Sequence, residues 1–402
     1  MTETSEAAAA SRAVRPPLLT PPLLRRFVSV LGASASFHLL LSVVPGYATP
    51  VGGGGAAGLA TGALMLATVA GEFATPALVD RYGYRAVLAV GLGLLGVPAL
   101  ALPLSRDLGW IVAVCLLRGL GYGFTLVAGG ALTASLIPAA RRGEGLALVG
   151  IVGGVPALVA LPLGVWLAAH SGYGLVFASG GAFALAALAS VPGLPDRVRA
   201  SGRAVGIGIG IGEGLRSAGL RRPAVVFAFA AMVSGIVVTF LPLAVRGAAT
   251  GSVAVALFVQ PAAATAGRWV AGRVGDRRGS GGLVLPGLLL SAAGTLLMVA
   301  TAEPVVVVVA AGVFGTGFGI LQNATLTLMY ARVPTTGYGT VSAVWNIAYD
   351  VGMGVGAVAF GWLAAATGYP WAFALTGVAV LTAVVPAHRD RRPRSTTAAT
   401  GP

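Results

Sequence analysis

The stretch "SAVWNIAYDVGMGVG" (342–356) is apolar and rich in small residues, yet it carries Asp350 with Asn346 one helical turn before it. Of the twelve acidic residues in the chain, ten fall in the tails or at the edges of apolar runs, and only Glu72 and Asp350 lie well inside one. A low-dielectric setting favours the neutral acid, so a carboxyl group placed there can load and release a proton near neutral pH. A fixed ion pair, or a hydrogen bond from Asn346 to Asp350, would be the plainer use of the same residues. His38 sits in another apolar run; its imidazole could relay protons or keep one local hydrogen bond. The amides of Gln322 and Asn323 in "GILQNATLTL" (319–328), of Asn346 and of Gln260 can donate to and accept from a polar solute or join helices, and Trp345 and Tyr349 offer an apolar wall or plain packing.

The medium around these groups follows from composition. The 402 residues are 56% hydrophobic and 9% charged, with mean hydropathy +0.89. A soluble domain carries about 25% charged residues, so this chain is read as a polytopic membrane protein. In that setting an ionised carboxylate at the bilayer centre costs about 2.5–3.5 kcal/mol, which marks Glu72 and Asp350 as facing a cavity or a partner. The net charge of +14 is all arginine and is spread between apolar runs, so no nucleic-acid surface is expected. One cysteine, Cys115, excludes an intrachain disulfide. No removable signal peptide is expected at the start.

A spanning helix needs about 20 apolar residues. Twelve such runs occur, near 26–46, 54–78, 86–104, 110–137, 147–169, 173–192, 223–244, 251–272, 283–301, 305–331, 338–366 and 370–387. They are too long and too uniformly apolar for barrel strands. Arginines cluster before the first run, after the second, fourth, eighth and tenth, between the sixth and seventh, and after the last, while the opposite loops hold only Arg106 and Arg246. This bias predicts cytoplasmic termini. The expected fold class is an all-α membrane protein with twelve transmembrane helices in two pseudo-symmetric six-helix halves. The expected division is a disordered tail (1–23), a six-helix bundle (24–192), a cytoplasmic linker (193–222), a second bundle (223–387) and a tail (388–402).

The halves echo each other. Asp80-Arg81 and Asp276-Arg277 are 196 residues apart, as are "RGLGYGF" (118–124) and "FGTGFGI" (314–320), which align Gly119, Gly121 and Gly123 with Gly315, Gly317 and Gly319. Duplicated six-helix halves are a transporter architecture with the site near midplane. The "GIGIGIGEG" segment (206–214) superficially resembles a nucleotide loop, but no strand precedes it, and it is read as linker.

Over residues 24–387 the chain resembles the major facilitator superfamily. The strongest carrier is "PALVDRYGYR" (76–85), similar to that family's loop after helix 2, with Asp80, Arg81, Gly83 and Arg85 in place and Pro76 where the family has Gly. The second copy, "GRVGDRRGSG" (272–281), keeps Gly272, Asp276, Arg277 and Gly279. The resemblance implies a cytoplasmic gate built from these eight residues, in which Asp80 meets the N-terminal end of helix 11; a role confined to fixing the turn is the alternative. It implies a link to proton coupling for Arg118 in "CLLRGLGYGF" (115–124). "VALPLGVW" (159–166) resembles the motif of exporters, keeping Pro162 and Gly164 only. The family's fold would bring Glu72 on helix 2 and Asp350 on helix 11 to one seam, and would set Gln322 and Asn323 on a cavity-lining helix. Arg268, two turns from Asp276, reads as a structural partner near the inner surface.

No Walker sequence, metal-ligand spacing or Ser–His–Asp set occurs, so no cofactor, metal or enzymatic conversion is expected. The resulting expectation is a monomeric, proton-coupled secondary transporter of the cell (inner) membrane. Its partners would be a small-molecule substrate, protons and the lipid bilayer. It would export a neutral or cationic amphipathic molecule, with Asp350, Glu72, Arg118 and His38 handling protons. Proton-symport uptake, or a non-transporting scaffold or sensor, are the competing readings.

Overall fold

The computed structural model describes residues 17–138, 141–196, 211–245, 251–334 and 337–390. The outer parts of both tails, residues 197–210 of the linker and Arg246 lie outside them.

Among the described residues the chain is helical throughout, and ten stretches are long and apolar enough to cross a membrane. The first, Pro21–Leu104, is too long for one crossing. Its helix Val44–Ala101 breaks at Gly52 and Gly53 and again at Gly83, where the backbone leaves helical geometry. The stretch therefore supplies three passes, and the whole set accommodates the twelve expected runs. We number them α1 (Pro21–Leu41, continued by 44–51), α2 (54–82), α3 (84–101), α4 (Leu108–Leu136), α5 (Arg142–Ser171), α6 (Tyr173–Ala187), α7 (Ala218–Ala244), α8 (Ser252–Arg278), α9 (Val284–Leu297), α10 (Pro304–Tyr330), α11 (Tyr338–Thr367) and α12 (Tyr369–Thr382).

The duplicated glycines explain how the helices pack. A Cβ on Gly119 would overlap the Leu64 carbonyl oxygen, and one on Gly123 the Thr68 oxygen, both on α2; on Gly121 it would stand 2.5 Å from the Gly91 oxygen of α3. In the second half Gly315 meets Gln260 and Gly319 meets Ala264 on α8, while Gly317 meets Ser291 and Gly287 on α9. Leu64 and Gln260, Thr68 and Ala264, and Gly91 and Gly287 are again 196 residues apart. The repeat is thus one of contacts as well as residues: a glycine ridge on α4 or α10 lets the backbone settle against two neighbours, as close packing in lipid requires.

A second set of four glycines ends helices. Gly83, Gly172, Gly279 and Gly368 follow α2, α5, α8 and α11 with φ of 82°, 79°, 80° and 79° and extended ψ. That region of backbone space is essentially closed to residues with a Cβ. The motif expected as a loop after helix 2 is therefore mostly helix: residues 76–82 finish α2, and 272–278 finish α8. Replacing Gly368 by Ala should cost about 1–3 kcal/mol, since space around it is open and the penalty is conformational. Thermal unfolding in detergent measures this; Gly130→Ala, in open space within α4, should stay within about 1 kcal/mol of the parent or gain stability.

Two buried arginines tie the first half together. Arg26 of α1 donates to the carbonyls of Gly129 and Thr125 and to Thr133 on α4, and to Ser29. Gly129 is the notch that admits its guanidinium, for a Cβ there would overlap it.

Candidate functional site

The halves meet along α2 and α11. A Cβ on Gly58 would overlap the Ala357 oxygen, one on Gly62 the Val358 side chain, and one on Gly361 would stand 2.5 Å from the Gly54 oxygen; Gly354 lies against Met65. Thr61 of α2 and Thr239 of α7 share a hydrogen bond of 2.9 Å across the same seam. This packing seals the end of the bundle where α2 begins and α11 finishes.

Two turns beyond Met65, the α2 residue on the seam is Glu72, and the α11 residue opposite is Asp350. Their carboxyl groups are close enough to interact. Asp350 is buried, and Glu72 Oε1 is buried with no hydrogen-bond donor. Neither acid has an arginine or histidine within ion-pair distance among the described residues. Among the described residues neither the fixed ion pair nor a bond from Asn346 is present for Asp350. The phenols of Tyr122 on α4 and Tyr349 on α11 are their neighbours, and Tyr349 also lies near Ser234 on α7. Two carboxylates this close repel each other when both are ionised and no counter-ion stands between them.

Beside the acids stands an aromatic wall. Phe227 of α7 stacks on Trp345 at 4.3 Å and 12°, lies 6.0 Å from Tyr349, and stacks on Phe318 of α10 at 5.9 Å. Trp345 Nε1 donates to Thr325 Oγ1 at 3.2 Å. Trp345, Asn346 and Tyr349 keep partial exposure along α11. Across the seam Tyr122 stacks on Phe37 at 3.7 Å.

The other expected site residues are scattered. Arg118 is 1% exposed and donates to the carbonyls of Ser36 on α1 (2.9 Å) and Leu95 on α3 (3.3 Å), away from the acid pair. It joins three helices of the first half. Arg118→Ala should cost roughly 1–3 kcal/mol of stability, the penalty for stranding those carbonyls, read by thermal unfolding in detergent. His38 keeps to its own helix, Nδ1 lying 2.8 Å from the Ser34 carbonyl. Gln260 is buried where Gly315 presses on its backbone. Gln322 accepts from Arg268 Nη2, and Asn323 faces Gly272.

The eight gate positions split by role. Asp80, Arg81, Asp276 and Arg277 are exposed. Arg81 lies over the Tyr82 ring, and Asp80 forms no ion pair among the described residues. Gly83 and Gly279 make the turns, the latter capping α8 through its N–H to Gly275 at 2.8 Å. Arg85 donates to Leu194 and, through its backbone, to Asp196, which holds the α2–α3 turn against the end of the α6 segment in the same half.

Arg268 is the residue the sequence undervalued. It points inward between α8, α10 and α11, bonded to Gln322 and near Tyr349. The signal was available: Arg268 is 196 residues after Glu72, so acid and base occupy the same place in the two halves.

Several solved structures share this arrangement of helices. A nucleoside transporter, NupG, superposes with a TM-score of 0.74 at 13% identity, covering 92% of this chain and 99% of its own. A bacterial homologue of the human lysosomal transporter Spinster gives 0.71 at 14%, covering 93% and 98%. A POT family transporter in complex with 5-aminolevulinic acid gives 0.73 at 11%, covering 92% and 96%. No curated protein sequence matches the chain. The sequence model of the Major Facilitator Superfamily matches residues 26–357. With that match across most of its length and the fold described above, the chain belongs to the Major Facilitator Superfamily and is a multi-pass integral membrane protein.

Proposed function

We propose that the chain is a proton-coupled secondary active transporter that moves a small amphipathic molecule by alternating access, in the direction of export. One observation carries the reading: Glu72 and Asp350, one from each half, face each other on the seam with no cation between them. A proton held there lets the seam close; its loss leaves two like charges that push α2 and α11 apart. Protonation and the facing of the cavity are thereby linked through one bistable contact. Transporters of nucleosides and peptides share the fold, which supports a solute-moving role. The arginine bias supports a cell-membrane location with cytoplasmic termini. With that orientation the sealed end is the outer one, the cavity faces inward, and Asp80 engages α11 only when the inner end shuts.

The weak exporter motif favours uptake by proton symport as the second reading, since only Pro162 and Gly164 remain of it. Screening compounds for altered tolerance in an efflux-deficient host identifies the solute. Inside-out vesicles with an imposed pH gradient then decide direction: accumulation driven by an acidic interior supports export, and movement with the proton supports uptake. Absence of any solute flux overturns transport altogether.

A further inference from the structure

The two halves treat one repeated position oppositely. In the first, Glu72 on α2 meets Asp350 on α11. In the second, Arg268 on α8 occupies the matching place, and α5 packs against α8 as α11 packs against α2. The residue that corresponds to Asp350 is Gly154, 196 positions earlier. A Cβ built on Gly154 meets nothing within 4 Å. At the position where the repeat would set a second carboxylate, the chain has a glycine.

Arg268 has no acid in ion-pair range among the described residues; its one hydrogen bond goes to the neutral Gln322 amide. It is accessible to solvent although helices surround it, the condition of a side chain on a water-filled cavity. Tyr349 neighbours both Arg268 and Asp350, and stacks in the aromatic wall of Phe227 and Trp345. A guanidinium whose bonded partner is a neutral amide, beside a wall of flat rings, is a receptor for an anionic group on an aromatic or similarly apolar body.

We propose that Arg268, with the uncharged Gly154 at the position the repeat sets opposite it, forms a subsite for a carboxylate or phosphate group of the transported solute. This rests on the transport reading for the word "transported", and it replaces the neutral or cationic solute expected from sequence with an anionic or zwitterionic one. The acid pair and the arginine then have separate tasks, with proton on one side of Tyr349 and solute anion on the other.

Matched probes that differ in charge test the subsite: phenylacetate against phenylacetamide, indole-3-acetate against its amide, and phenyl phosphate as the phosphate arm. The full-length protein is purified in detergent and its thermal unfolding followed at millimolar probe. At least one anion should raise the midpoint by several degrees while its amide does not, since a ligand of the folded state stabilises it. Arg268→Gln and Gly154→Asp should each abolish the shift, the second by supplying the missing carboxylate; Arg268→Lys and Gly154→Asn should keep part of it. Stabilisation by amides as much as by anions, a shift that survives Arg268→Gln, or no shift from any anion overturns the proposal. Independently, Arg268→Cys should react with the membrane-impermeant sulfonatoethyl methanethiosulfonate, the buried Cys115 staying silent; failure to label also overturns it. No pH gradient enters these measurements, so their failure leaves coupled flux through Asp350 standing, and an uncoupled Asp350→Asn protein should still bind the anion.

Discussion

Asp350→Asn should reduce pH-driven solute flux in proteoliposomes to the level of protein-free vesicles, while the variant inserts, purifies and unfolds like its parent. Asn has the shape of Asp and can still hydrogen-bond Glu72 across the seam, so the α2–α11 packing from Gly54 to Gly354 has no reason to change. What is lost is the second titrating group. With a neutral amide opposite, Glu72 no longer meets like charge when it releases its proton, and nothing forces the halves apart. Exchange of solute down its own gradient should survive, because Arg268 and the aromatic wall are untouched. The companion variant Glu72→Gln should uncouple similarly, as the pair works as a unit. Coupled flux retained in Asp350→Asn at the parent's rate, per folded molecule, would sink the mechanism.

The second large effect is on folding. Gly319→Leu should leave little or no monodisperse protein. The new Cβ falls on the carbonyl oxygen, carbonyl carbon and Cα of Ala264, backbone atoms that cannot rotate aside. Overpacking of a tight core costs about 1–3 kcal/mol even where side chains can yield, and here two helices must separate. The symmetric Gly119→Leu, driven against the Leu64 carbonyl, should behave alike. Gly312, on α10 two turns earlier, is the control: the Cβ there stands 3.3 Å from a Val259 methyl, a contact that gives by small shifts. Gly312→Ala should therefore express and chromatograph as the parent does. Size-exclusion profiles with thermal unfolding of the three variants settle the comparison; a well-folded Gly319→Leu protein would refute the packing account.

Much of the architecture was legible in one dimension. Hydropathy and length are properties of each segment against lipid, so the runs mark the spans without reference to neighbours. The 196-residue offset carried further than the motifs that first revealed it. It relates Gly83 to Gly279, Gly172 to Gly368, and the contact partners Leu64 and Thr68 to Gln260 and Ala264. The two acids inside apolar runs were also visible, because lipid makes such residues rare and costly.

Pairing was decided only by the folded structure. The same guanidinium appears at Arg118 and Arg268, yet one is buried on the Ser36 and Leu95 carbonyls and the other, accessible to solvent, reaches the Gln322 amide. Gln260 and Gln322 carry the same amide on neighbouring helices, but Gly315 buries the first and Arg268 holds the second. Which side chains meet depends on the rotation and axial register of each helix against its neighbours. Those are set by backbone contacts at glycines such as Gly58, Gly119 and Gly319, whose partners are distant in sequence. Composition and periodicity thus determined that helices cross the membrane in two related sets carrying acids at their core; close packing of backbones determined that Glu72 would face Asp350.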